Sequence, residues 1–81
     1  MRIVLARVVQ TCFACPSQWD AWTPDGRYVY LRFRWGHGTV SMEPWGTVAS
    51  FSVEDPYAGV ISLEDFMMAA GLELAAGAER S

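Results

Sequence analysis

The stretch QWDAWTPDGRYVYLRFRW, residues 18–35, decides how this chain folds. Two aromatic-rich segments flank Pro24-Asp25-Gly26. Proline presets φ at the start of a turn and glycine accepts a positive φ at its end. The spacing therefore predicts a hairpin whose three-residue loop closes on a glycine bulge. Pairing outward sets Thr23 opposite Arg27, Ala21 opposite Val29 and Trp19 opposite Leu31. Side chains of a strand alternate between its two faces. Val29, Leu31, Phe33 and Trp35 then share one face, while Tyr28, Tyr30, Arg32 and Arg34 share the other. Trp19 and Trp35 are assigned to the core with the first set; Trp45 is left unassigned.

On the N-terminal side, IVLARVV (residues 3–9) is a nearly continuous, β-branched apolar run. Such runs suit a central strand covered on both faces. The connector TCFACPS follows and ends in Pro16-Ser17. On the C-terminal side, Gly36-His37-Gly38 marks a second turn. An odd loop would turn Val40 and Met42 toward the arginines, so an even loop, Gly36 to Thr39, is expected. It would set Glu43 opposite Arg32. Pro44-Trp45-Gly46 interrupts the chain before a fifth strand at about Thr47 to Val53, and EDPYAG reads as a loop.

The segment ISLEDFMMAAG, residues 61–71, carries the marks of one short helix. Ser62 is the N-cap, Asp65 sits where a capping box wants an acid, and Ile61 can staple onto Phe66. Leu63, Phe66, Met67 and Ala70 form a stripe at helical spacing, and Gly71 suits the position just past the end. Met68 and Ala69 lie off the stripe, as part of a wider buried face or of a second contact surface. The small, polar tail AAGAERS is expected to fray. The fold class is α+β: an antiparallel β-meander of four to five strands with one C-terminal helix packed on the sheet. Residues 1–81 form a single domain.

At 81 residues, scaling relations bury ~60% of the unfolded surface, enough for one small core and no interdomain cleft. A chain 52% hydrophobic and 19% charged is not disordered. No window approaches the ~20 apolar residues of a membrane span. No signal peptide is read at MRIVLARVVQ, so a reducing, cytoplasmic location is expected. All six basic residues are Arg and none is Lys, which fits a GC-rich genome. The net charge of −3 disfavours a general phosphate-binding role.

Candidate chemistry is sparse. Cys12-Phe13-Ala14-Cys15 is a C-x-x-C, but a tetrahedral zinc needs four ligands and the chain adds one His. Two chains pooling Cys12 and Cys15 would make a zinc-bridged homodimer, a lesser alternative to two thiols in a connector. His37 lies between glycines with no nucleophile or carboxylate beside it. No nucleophile elbow or phosphate-cradling glycine loop is present. No enzymatic activity, cofactor or metal is expected.

The face that holds Trp22, Tyr28, Tyr30, Arg32 and Arg34, with Gln18, Asp20, Ser41 and Glu43 among them, is the candidate contact surface. Aromatics interleaved with Arg serve protein hot spots and single-strand nucleic-acid platforms alike. Ordinary cross-strand pairing would explain the same residues equally well. Asp20 and Glu43 would offset much of the positive charge. A protein partner is therefore favoured over nucleic acid.

The stretch CPSQWDAWTPDGRYVYLRFRWGHGTV, Cys15 to Val40, resembles a set of small uncharacterised proteins from actinobacteria and their phages. Tyr57-Ala58-Gly59 and the Ser62-to-Gly71 segment look similar too. The resemblance implies a high-GC host and, by analogy, an accessory protein that binds a host protein. It implies no activity.

Overall fold

The computed structural model describes residues 3–12, 17–55 and 60–80. Six strands and one helix follow in the order β1 (Ile3–Cys12), β2 (Ser17–Trp22), β3 (Tyr28–Arg34), β4 (His37–Met42), β5 (Gly46–Ser52), α1 (Leu63–Ala70) and β6 (Leu72–Arg80). They build one sheet of order β5-β4-β3-β2-β1-β6. Neighbours pair antiparallel from β1 through β5, whereas β6 pairs parallel to β1. The sheet is thus mixed and six-stranded, not the antiparallel meander of four to five strands that the sequence suggests.

The β2–β3 hairpin follows its turn chemistry. Thr23 donates its amide to the Arg27 carbonyl at 2.9 Å, and Gly26 donates to the Thr23 carbonyl at 2.9 Å. Gly26 takes φ +86°, the left-handed conformation that such a loop needs. The register sets Ala21 opposite Val29 and Trp19 opposite Leu31, as expected.

The next turn is shorter than expected. Arg34 pairs with His37, so only Trp35 and Gly36 lie between the strands, at φ +53° and +68°. Two successive positive φ values match the twist of a tight hairpin. The loop is even, so Val40 and Met42 do reach the core face, but the register moves. Leu31 faces Val40, and Arg32 faces Thr39 instead of Glu43. Trp35 consequently leaves the core and stands 56% exposed in the turn. Glu43 sits in the following turn, before a strand that begins at Gly46.

The core lies on the face of Leu5, Val8, Trp19, Ala21, Val29, Leu31, Phe33 and Val40, all at most 1% exposed. The helix closes this face. Ser62 accepts a hydrogen bond from the Asp65 amide at 3.1 Å, and Gly71 ends the helix at φ +74°. The stripe then points Leu63, Phe66 and Met67 inward. The Phe66 ring centroid lies 5.3 Å from that of Trp19 and 4.9 Å from that of Phe51, edge to face. Phe51 crosses over Gly38 to stack on Phe33 at 6.0 Å. Burying such rings stabilises by about 1.5–3 kcal/mol each, and each aromatic pair adds about 0.5–1.5 kcal/mol. Ile61 packs at the edge of this cluster, while Met68 is 81% exposed and belongs to no buried face.

The C-terminal tail does not fray; it is strand β6. Leu72 and Leu74 pair with Ile3 and Leu5, and after an irregular stretch Glu79 and Arg80 pair with Arg7 and Val8. Composition argued against a strand here. What overrides it is the helix, which returns the chain beside the edge of β1, whose backbone groups need partners.

Candidate functional site

The face opposite the helix carries the residues singled out from the sequence. Among the described residues no element packs across it. Trp22, Tyr30 and Arg32 are half-buried by their neighbours, and Tyr28 and Arg34 are exposed. All five project from β2 and β3, because the hairpin register places Trp22 opposite Tyr28 and Gln18 opposite Arg32.

At the hairpin end, the Trp22 and Tyr28 rings lie 5.8 Å apart at 55°. The Tyr28 hydroxyl donates to Asp20 Oδ1 at 2.5 Å. Burial, together with that hydrogen bond to a carboxylate, pushes the phenol up to about 12. Tyr30 stands between Asp20 and Ser41 on its two neighbouring strands. A hollow of about 350 Å³ opens there, lined by Tyr28, Tyr30, Ser41, Met42, Glu43 and Gly46.

At the other end the chemistry changes sign. Arg32, Arg34, His37 and Thr39 line a notch of about 180 Å³. Arg34 pairs with His37 across the strands, and its guanidinium lies 5.6 Å from the Trp35 ring centroid. His37 Nδ1 shares a hydrogen bond with Ser52 Oγ at 3.0 Å. The Nε of Arg32 is buried and has no hydrogen-bond partner among the described residues. Buried donors in folded proteins nearly always have one. The acid expected beside Arg32 is not there, because the tight turn shifts the register by four residues, which sets Thr39 opposite Arg32 and leaves Glu43 past the end of β4.

One member of this face was missed. Arg7 reads as part of an apolar run, yet it pairs with Trp22 and its guanidinium lies 5.2 Å from that indole. Ile3, Leu5 and Val8 are all buried, so the alternation of β1 slips by one residue between Leu5 and Val8. The signal was present: strict alternation from Ile3 and Leu5 would bury an unpaired arginine. Glu79 approaches Arg7 Nε at 3.8 Å, and both side chains are more than half exposed, so this ion pair adds little stability.

Outside this face, Arg27 lies 5.1 Å from the Trp45 ring centroid, with Trp45 53% exposed. The Thr23 hydroxyl donates to Asp25, and this bond is the main reason that the Asp25 carboxyl lies below its ordinary range, Arg27 assisting. Cys12 is half-buried at the end of β1, while Cys15 and Tyr57-Ala58-Gly59 lie outside the described residues. Among the described residues no group of three His, Cys, Asp or Glu is placed to hold a metal ion. No described helix is long and apolar enough to cross a membrane.

No family model matches the chain, and no curated protein or solved structure is significantly similar to it.

Proposed function

We propose that this protein is a non-enzymatic interaction module that docks a protein partner on its open sheet face, with Trp22, Tyr28, Tyr30, Arg32 and Arg34 as contact residues. The observation that carries this reading is the notch that Arg32 and Arg34 line, where among the described residues neither guanidinium has a carboxylate partner. A guanidinium lining such a notch can take an incoming oxygen in a charge-assisted hydrogen bond. Aromatic rings and guanidiniums on a rigid sheet are the groups that dominate protein interfaces. The resemblance of Cys15 to Val40 supports, by analogy, an accessory role with the partner a protein of an actinobacterial host.

Nucleic acid is the weaker reading. Asp20 and Glu43 stand at the tyrosine end, Arg7 is engaged by Glu79, and the cations Arg32 and Arg34 cluster at the opposite end. A phosphate backbone needs a continuous basic track, and the whole chain carries −3.

The test is affinity capture from an actinobacterial lysate with wild type and a Tyr30→Ala/Arg32→Ala double variant, both verified as folded by circular dichroism. The double variant should lose specific partners; identical partner lists would sink the assignment. A gel shift with mixed-sequence single strands at low salt that fades steeply as salt rises would favour nucleic acid instead.

A further inference from the structure

The open face has two receptors of different chemistry at a fixed spacing. The hollow at Tyr28 and Tyr30 is walled by aromatic rings and Met42, which suits an apolar side chain. The notch at Arg32 and Arg34 is lined by two arginine side chains together with His37 and Thr39. Among the described residues neither arginine has a carboxylate partner, whereas Arg7, Arg27 and Arg80 each have one. Planar guanidiniums match a carboxylate in geometry and charge. A monoanion also suits a chain of net charge −3 better than a phosphate dianion does.

The two receptors are centred four residues apart along β3, which corresponds to about 13 Å at the rise of an extended chain. In an extended segment, side chains four positions apart point to the same side and are separated by that distance. We propose that the occupant of this face is an extended peptide segment of the partner, carrying an apolar residue over Tyr28 and Tyr30 and, four positions away, an Asp or Glu in the Arg32–Arg34 notch. This rests on reading the open face as a protein-docking surface.

The test uses ¹⁵N-labelled protein titrated with blocked nine-residue Ser/Gly peptides, each with one Leu and one Glu in either order. Peptides of spacing four should shift amide resonances of β3 and β4. Spacing three turns one side chain away, and a Glu→Gln peptide removes the charge; each should bind about tenfold more weakly, as expected for losing one charge-assisted contact. Arg34→Gln, at an exposed position, should erase the preference for Glu over Gln without altering the fold. Equal binding at spacings three and four, or no binding at millimolar peptide, would overturn the proposal. So would a peptide with phosphoserine in place of Glu, or an oligothymidylate, that binds the same residues more tightly. If capture from lysate still depends on Tyr30 and Arg32 while the peptides fail, the docking face stands and the spacing rule falls. If both fail, the face itself is misassigned.

Discussion

Single residues carry more of this structure than their size suggests, and Gly38 is the clearest case. It pairs with both Phe33 and Phe51, and the Phe51 ring lies where its side chain would be. A Cβ at position 38 would come within 2.2 Å of two ring carbons. Phe51 also contacts Phe66, so the ring has little freedom to retreat. Gly38→Ala should destabilise by about 1–3 kcal/mol, the usual range for overpacking, and urea denaturation would read it directly. An unchanged midpoint would mean that Phe51 moves freely. Tyr28 makes a different prediction. Its phenol is held neutral up to about 12, against an ordinary 10.0. The folded protein therefore keeps this proton where the unfolded chain loses it. The stabilising contribution is complete below pH ~10 and disappears as pH rises through about 12. Ultraviolet titration should show one late-ionising tyrosine, abolished by Tyr28→Phe; a Tyr28 that ionises at the ordinary value would refute it.

Among the elements, α1 shows how local signals and tertiary packing combine. Eight residues make a helix too short to persist alone in water. Its caps set the ends, and the Phe66 contacts with Trp19 and Phe51 hold it. Ser62→Ala removes the acceptor for the Asp65 amide and should lower stability by about 1 kcal/mol, measurable by thermal unfolding. An unchanged melting temperature in Ser62→Ala would show that the hydroxyl contributes nothing. At the far end of the sheet, Arg80 pairs with Glu64 at 2.7 Å, tying β6 to the helix. The Glu64 carboxyl lies below its ordinary range, first through its own backbone amide and then through Arg80. Both side chains are substantially exposed, so the pair steers β6 more than it stabilises it.

At the scale of the whole molecule, the first and last strands are neighbours, so the core is complete only when the chain has closed on itself. Leu72 is buried against the β1 side of that core. A chain ending at Gly71 leaves the edge of β1 bare over the length now paired with β6. It should lose the single cooperative unfolding transition and bind a hydrophobic dye; retention of the wild-type melting curve would show β6 to be dispensable.

The sequence by itself determined the pieces whose physics is local. Pro24-Asp25-Gly26 and the alternation around it specify one hairpin register, and Ser62 and Gly71 specify the ends of one helix. These depend on φ preferences and on hydrogen bonds within a few residues. The five residues proposed as contacts fall on one face by the same alternation, which period-two geometry makes automatic. Tertiary structure decided the rest. The length of the β3–β4 turn depended on whether Trp35 could accept a positive φ and leave the core, which no pattern of even loops distinguishes. That choice moved Glu43 away from Arg32 and, among the described residues, left the notch without an acid. Arg7 joined the open face because β1 slips its alternation, and the tail became a strand because the edge of β1 was waiting for one. In each case the free energy came from partners distant in sequence, where local preference is weak and packing prevails.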